Sequence, residues 1–300
     1  MTAWSADTAH AGAPAKLNLC LRVRGRRADG YHVLESIVTP IALFDHLRIQ
    51  VRSSAAPRVS LRCEPTSAAP PGAENLAARA AELFMRRRRI AAEVSIALRK
   101  RIPAGAGLGG GSSDAAAVLR ALNTLLRVPV PRAELMTWAL ELGADVPLFI
   151  FGRPARMSGI GEHLEPWAAA LRTPLVVAFA GRPLPTQTVY AKYDDLLTKS
   201  DPLSSIRPPT RGRGPLRSML HNDLEAAALI LQPELRSLEE RLRSLGAEGV
   251  LMTGSGSAVF GVWKQWDDAQ AAARQVRAAG MWARVVHALE RVPAVELVAA

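Results

Sequence analysis

The sequence predicts an α+β protein of two domains, and three observations carry that expectation. The chain has 300 residues of which 49% are hydrophobic, enough for two ordinary domains, each with its own core. Strand-like alternation and helical spacing are mixed along it without the regular strand–helix–strand rhythm of a parallel sheet. Two glycine-rich turns, 103–111 and 254–256, fall one in each half. We place the first domain at residues 1–165 and the second at 166–300.

Ala15 to Arg24 alternates in the strand manner, Tyr31 to Arg52 gives one or two further strands, and Arg58 to Cys63 another. From Asn75 to Arg89, Leu76, Ala80, Leu83 and Phe84 recur at helical spacing. The basic run Arg86 to Arg89 then complements the end of the helix dipole. Val94 to Leu98 returns to strand, and Pro103 to Gly111 is a loop. The next helix, to about Leu126, is expected to open on Ser112 or Ser113 as its N-cap. Another runs from Arg132 to Leu142 and stops at Gly143. In the second half Leu175 to Ala180 reads as a buried strand, followed by loops rich in proline and arginine. Helices are expected at Asp223 to Leu231 and Glu234 to Leu245, and strands at Glu248 to Met252 and Ala258 to Val262. A helix from Trp266 to Ala279 and a strand from Trp282 to Ala288 complete the pattern.

The net charge of +11 suits either nucleic acid or phosphorylated metabolites and does not choose between them. Arginine outnumbers lysine 33 to 5, which reads as a compositional habit, so Lys16 and Lys100, beside the motifs below, go against it. Arg207 to Arg217 mixes arginine, proline and glycine and reads as a mobile surface loop. Neither basic run is interleaved with the aromatics that single-strand binding favours. Cys20 and Cys63 are the only cysteines, expected as two reduced, buried thiols. The first fourteen residues lack a basic start and an apolar segment, and the longest apolar runs are far too short to span a bilayer. A cytoplasmic protein without a membrane or nucleic-acid partner is expected.

The strongest chemical signal is the run from Pro103 through Gly111, Ser112 and Ser113 to Asp114, leading straight into a helix. Glycines allow backbone amides to approach a ligand closely, and a helix start adds unpaired N–H groups and a positive dipole end. Together they suit a phosphate, with the serine hydroxyls able to bond its oxygens or help hold a magnesium ion. No lysine follows the glycines, so the Walker A pattern fails. A second helix follows where a dinucleotide fold needs a strand, so that reading fails too.

Three further segments accompany this loop: Pro14-Ala-Lys16-Leu-Asn18, Leu142-Gly-Ala-Asp145-Val-Pro147 and Thr253-Gly-Ser-Gly-Ser-Ala-Val-Phe260. In this set and order the chain resembles the GHMP kinases, a superfamily of small-molecule phosphotransferases. Its likeness to the branch acting on a cytidine-diphosphate-linked methylerythritol rests on Arg26 to His32, Asn75-Leu76, Lys100 to Pro103 and Asn222-Asp223-Leu-Glu225. The resemblance covers nearly the whole chain. It implies a ribosomal-protein-S5-like N-terminal domain, an α/β C-terminal domain, and a cleft between them for ATP, Mg2+ and the substrate, as a monomer or weak homodimer.

The resemblance implies that Asp145 orients or deprotonates the substrate hydroxyl and that Lys16 pairs with it. From spacing alone Asp145 reads equally as a helix N-cap and Lys16 as a strand-edge lysine. Asn75, Lys100 and Pro103, with Ala104, Gly105, Ala106, Gly107, Leu108, Gly109, Gly110, Gly111, Ser112 and Ser113, are implied to bind ATP. Asn18, Tyr31, His32, Thr186, Tyr190, Gly254, Ser255 and Gly256 are implied to bind substrate, with Tyr31 stacking on the cytosine and His32 bonding its edge. Tyr31 could instead be a strand aromatic, His32 a surface histidine, and 254–256 a plain hairpin turn. Where the family often carries an arginine, this chain has Ile160 in Gly159-Ile-Gly161-Glu162, which puts any electrostatic role of that turn in doubt. Other GHMP kinases, acting on homoserine or mevalonate, are a second reading, which Gly30-Tyr31-His32 disfavours because those substrates have no base to stack. An RNA-binding protein, suggested by the charge, is a third, and it leaves the glycine–serine loop without a purpose.

Overall fold

The computed structural model describes residues 4, 7–66, 72–167, 172–197 and 216–298. Two long antiparallel strands, β1 (Thr8–Arg26) and β2 (His32–Ser53), form its spine. They are interrupted by irregularities at Pro14/Ala15, Asn18/Cys20 and Val23/Gly25, which bend the ribbon rather than end it. β3 (Arg58–Glu64) and β4 (Ala92–Arg99) extend this sheet in the order β1-β2-β4-β3. β5 (Ala155–Gly159) pairs with β2, and β6 (His163–Pro166) with β5. The single ribbon of β2 answers the one-or-two-strand expectation.

One face of this sheet carries α1 (Leu76–Arg88), α2 (Gly110–Leu125), α3 (Arg132–Leu142) and α4 (Val146–Phe151). The core between them includes Leu83, Phe84, Leu119, Leu122 and Phe149, with Trp138 edge-on to Phe84 at 5.7 Å. α1 begins because Asn75 caps it, its Oδ1 accepting from Ala77 N at 2.9 Å. It ends in the solvated basic turn that the sequence suggests. The N-cap expected of Ser112 or Ser113 is corrected: α2 starts at Gly110, and Gly109, at φ 71°, takes the cap position without a side-chain bond. Successive glycines let the loop itself turn into the helix, two residues before the serines.

The second half forms a four-stranded antiparallel sheet, β11-β7-β10-β9, from β7 (Leu175–Phe179), β9 (Gly249–Met252), β10 (Val259–Val262) and β11 (Trp282–Val286). α5 (Thr186–Leu197), α6 (Glu225–Leu231), α7 (Glu234–Ser244) and α8 (Trp266–Ala278) supply its helices. β7 is buried throughout because both faces are covered. Val176 and Ala178 join the core of the second half, and Leu175, Val177 and Phe179 meet Leu17, Leu19 and Ile41 of the first sheet in a shared core. Two short strands, β8 (His221–Asn222) and β12 (Glu296–Val298), return to pair with β1, so the large sheet draws on both halves of the chain.

The loops expected after β7 contain α5, a correction, and β5, β6, β8 and β12 lie where no strand was expected. Cys20 is buried but Cys63 only half-buried, so the expectation of two buried thiols holds for the first alone. Residues 207–215 of the arginine-rich loop lie outside the described residues; Arg217 sits in a short 3-10 turn, Leu216–Ser218. Among the described residues no helix is long and apolar enough to cross a membrane.

Candidate active site

The residues singled out in the sequence converge on one cleft of about 900 Å³. Its lining takes in Lys16, Asn18, Tyr31, His32, Asn75, Lys100, residues 103–112, Asp145, Thr186, Tyr190, Gly254 and Ser255. Ser113 and Gly256 lie behind the surface, outside that lining.

The glycine loop and the second glycine turn interlock at the floor of this cleft. Lys16 N donates to Leu108 O at 2.9 Å, and Ala258 N to Ala106 O at 3.0 Å. Gly107 stands at φ 75°, and a Cβ there would lie 2.4 Å from the carbonyl oxygen of Thr253. Backbone thus meets backbone across the two halves. Gly107→Ala is therefore expected to cost about 3 kcal/mol, combining left-handed backbone with a contact that cannot relax. Gly111→Ala, whose Cβ would meet only Leu76 Cδ1 at 3.6 Å, should be close to neutral in the same urea titration. Equal midpoints for the two variants would refute this account.

The turn at 254–256 is held from outside. Asn222 Nδ2 donates to Met252 O and Gly254 O, both at 2.8 Å, and Glu225 Oε1 accepts from Met252 N at 2.9 Å. Asp223 Oδ2 accepts from Val23 N at 2.8 Å. The Asn222-to-Glu225 motif therefore fastens β1 and the glycine turn together.

Opposite the start of α2, the ammonium of Lys16 donates to Asn18 Oδ1 and lies 3.7 Å from Asp145 Oδ2. Strand alternation puts Lys16 and Asn18 on one side, as expected. Asn18 is fixed in turn: its backbone N donates to Thr253 Oγ1 at 2.9 Å and its Nδ2 donates to Ser36 Oγ at 2.7 Å. Asp145 occupies the N-cap position of α4 but makes no side-chain cap bond. Pro147 in the first turn removes one of the N–H groups that a cap would use. Its carboxylate is thereby left to the cleft.

Lys100, implied to bind ATP, lines the cleft but is tied into a buried ion cluster. Its buried ammonium is shared between Asp45 Oδ2 and Asp114 Oδ2, the latter at 2.7 Å. Asp45 Oδ1 also accepts from Ile102 N at 2.9 Å and from Arg101 N. Asp114 Oδ1 has no partner. Burial pushes the Asp114 carboxyl up to about 8, Lys100 opposing and Asp45 adding to the rise. For Lys100, burial works against the charge, but the two carboxylates outweigh it and raise its affinity for the proton.

At the far end, His32 stacks on Tyr190 with ring centroids 4.6 Å apart, and its Nε2 bonds Asp194 Oδ1 at 2.8 Å. Arg26 Nη1 lies 3.4 Å from the other oxygen of Asp194. Tyr31 stands free, 61% exposed. Thr186 Oγ1 meets Ser255 Oγ at 2.9 Å, joining the start of α5 to the second turn. Asp194 was invisible as a site residue because it lies on α5, a helix the sequence pattern did not reveal. The turn at 159–162 is held by Glu162, whose Oε2 accepts from Ile160 N at 2.6 Å, so the carboxylate serves the backbone there.

Comparison with known proteins agrees with this geometry. Residues 75–153 match the family of GHMP kinases N terminal domain, and residues 211–280 that of GHMP kinases C terminal. The 4-diphosphocytidyl-2-C-methyl-D-erythritol kinase of Thermus thermophilus is 44% identical over 274 residues, covering 90% of this chain and 94% of the relative. That of Syntrophotalea carbinolica is 38% identical over 273 residues, 90% and 95%. A crystal structure of 4-(cytidine 5'-diphospho)-2C-methyl-D-erythritol kinase superposes with a TM-score of 0.73 at 41% identity, covering 93% of this chain and 98% of that one. Homoserine kinase from Cytophaga hutchinsonii shares the fold, with a TM-score of 0.72 at 16% identity, covering 98% of each chain. With relatives this similar over nine-tenths of its length, the chain belongs to the 4-diphosphocytidyl-2-C-methyl-D-erythritol kinases of the GHMP kinase superfamily.

Proposed function

We propose that this protein transfers the terminal phosphoryl group of ATP to the 2-hydroxyl of 4-diphosphocytidyl-2-C-methyl-D-erythritol, giving the 2-phosphate and ADP, in the non-mevalonate route to isoprenoid precursors. The observation that carries the reading is the Lys16–Asp145 pair, 3.7 Å apart, in one cleft with the glycine loop and the uncapped start of α2. Phosphoryl transfer needs little beyond positioning and charge stabilisation. Amides within residues 104–112 and the hydroxyls of Ser112 and Ser113 hold the ATP phosphates, with Asn75 and Lys100 toward the nucleoside. Asp145 accepts the hydrogen bond of the incoming hydroxyl and takes its proton as the new O–P bond forms. Lys16 offsets the charge that moves onto the phosphoryl oxygens.

Among the described residues no cluster of His, Cys, Asp and Glu could hold a metal on its own. Mg2+ fits here as a companion of the phosphates, which together with water would supply most of its oxygens. The Ser112 hydroxyl and the partnerless Ser113 Oγ, both in the first turn of α2, are the oxygens on hand. When bound, the ion neutralises phosphate charge.

The cytidine end is assigned to Tyr31, His32, Thr186 and Tyr190, and the remainder of the substrate to Asn18, Gly254, Ser255 and Gly256. Domains of 1–165 and 166–300, a cytoplasmic setting, no nucleic-acid partner and a monomer or weak homodimer belong to the same proposal. Asp194→Asn, weakening the bond that fixes the His32 ring, should raise the KM for the cytidine substrate about tenfold. The KM for ATP should stay put; an equal rise in both would refute the assignment. The reaction itself is tested by product mass after incubation with ATP, Mg2+ and the cytidine substrate. Phosphorylation of homoserine or mevalonate in its place would keep the superfamily and refute the substrate.

A further inference from the structure

Several arginines in this protein answer a carboxylate. Arg87 lies 2.5 Å from Glu141, Arg156 2.7 Å from Glu35 and Arg243 3.1 Å from Glu239. Four others are gathered on one hollow. Arg120 of α2, Arg132 at the start of α3, Arg153 just beyond α4 and Arg291 near the C-terminus line a separate cavity of about 230 Å³, with Phe151 and Val292. Among the described residues no ion pair joins any of the four to an acid.

Their electrostatic surroundings are one-sided. Burial lowers the proton affinity of Arg120, and Arg132 lowers it further. Arg132 is depressed by its own burial and then by Arg153 and Arg291. No carboxylate opposes these effects. Two of the side chains are held in place. Arg120 Nη2 donates to Pro293 O and Arg132 Nη2 to Phe151 O. Arg132 and Arg153 also flank the ring of Phe151, with guanidinium carbons 5.2 and 5.5 Å from its centroid.

Complementing the C-terminal end of α4 explains Arg132, whose guanidinium satisfies the last helical carbonyl. It does not explain three more cations on the same hollow. Each guanidinium has five donors in a planar fork, and most donors of the four remain for a ligand. Holding like charges together without a counter-charge is costly, and a bound anion removes that cost.

We propose that this hollow is a second anion site, separate from the catalytic cleft, and that it takes a diphosphate group. A diphosphate spans two guanidinium pairs and matches the accumulated charge better than a single phosphate does. The site shares no lining residue with the cleft. It lies at the Gly152 end of α4, the short helix whose other end carries Asp145.

The test is calorimetric titration of the full chain with inorganic pyrophosphate, without magnesium and with a non-hydrolysable ATP analogue saturating the glycine loop. Wild type should bind pyrophosphate, and R153Q/R291Q, altering two side chains outside the cleft, should weaken that binding by about tenfold or more. Affinity for the ATP analogue should be the same in both. Inorganic phosphate should bind wild type about tenfold more weakly than pyrophosphate. Absence of pyrophosphate binding to wild type, or equal binding by the double variant, would overturn the site. Phosphate binding as tightly as pyrophosphate would overturn the diphosphate assignment. None of these readouts requires turnover, so the site and the proposed reaction fail separately.

Discussion

Replacing Asp145 by asparagine should lower kcat by about 10²–10⁴-fold while leaving the KM for ATP close to its wild-type value. The substitution keeps size and shape and removes only the charge and the capacity to take a proton. Because Asp145 makes no side-chain cap bond to α4, the helix does not depend on it, and the unfolding midpoint should hardly move. Lys16 would retain Asn18 as its partner, so the neighbouring cation stays in place. A loss of this size corresponds to about 3–5 kcal/mol in the barrier. Single-turnover phosphorylation, measured alongside urea unfolding, checks both halves of the prediction. A fall of less than about tenfold would leave Asp145 an orienting group and place proton acceptance elsewhere. Lys16→Met should give a loss of the same order, and the double variant far less than the product of the two, since the pair acts as a unit.

The chemistry-bearing motifs are local in sequence. A glycine–serine run leading into a helix announces a phosphate cradle by itself, and the paired Lys16 and Asn18 follow from strand alternation. The two-domain α+β fold was legible for a related reason: most helices and strands carry apolar residues at their own period, as α1 does through Leu83 and Phe84. What stayed hidden depends on contacts between distant segments. α5 follows two prolines, Pro183 and Pro185, and buries only Val189 and Tyr193, so its apolar stripe is too thin to read. With it went Asp194, which reaches His32 across 162 positions of chain. β8 and β12, of two and three residues, exist only because β1 offers them an edge. Lys100 stands out as a lysine in an arginine-rich chain, but its two partners, Asp45 and Asp114, lie 55 and 14 positions away. The arginine hollow gathers four segments whose individual arginines are indistinguishable, in sequence, from the rest.

Lys100→Met should destabilise the protein by about 3–5 kcal/mol at pH 8, because removing one partner of a buried ion cluster leaves charge uncompensated. The cost should shrink toward pH 5. The reason lies in how the three groups divide their protons. Asp45 keeps two backbone N–H donors without Lys100, whereas Asp114, with no partner at Oδ1 and Asp45 beside it, escapes its penalty by staying protonated. Its folded carboxyl already holds a proton up to about 8, against 3.8 for the ordinary side chain. A folded pKa above the unfolded one means that the folded state binds the proton more tightly. The stability this group supplies is therefore full below about pH 4 and lost as pH rises toward about 8. Asp114→Asn should flatten the stability curve across that window, relative to wild type, in urea titrations at constant salt. Glu35 and Asp223, held low by their partners, act in the opposite sense at the acid end and cancel in that difference. A wild-type and Asp114→Asn difference that is constant from pH 4 to 8 would show that Asp114 is ionised in the fold. The same cluster sets the start of the glycine loop, since Asp45 receives Arg101 N and Ile102 N immediately before Pro103, and Asp114 lies in the first turn of α2. Loss of Lys100 should therefore also weaken ATP binding in the fraction that remains folded, since it disturbs the geometry of the loop.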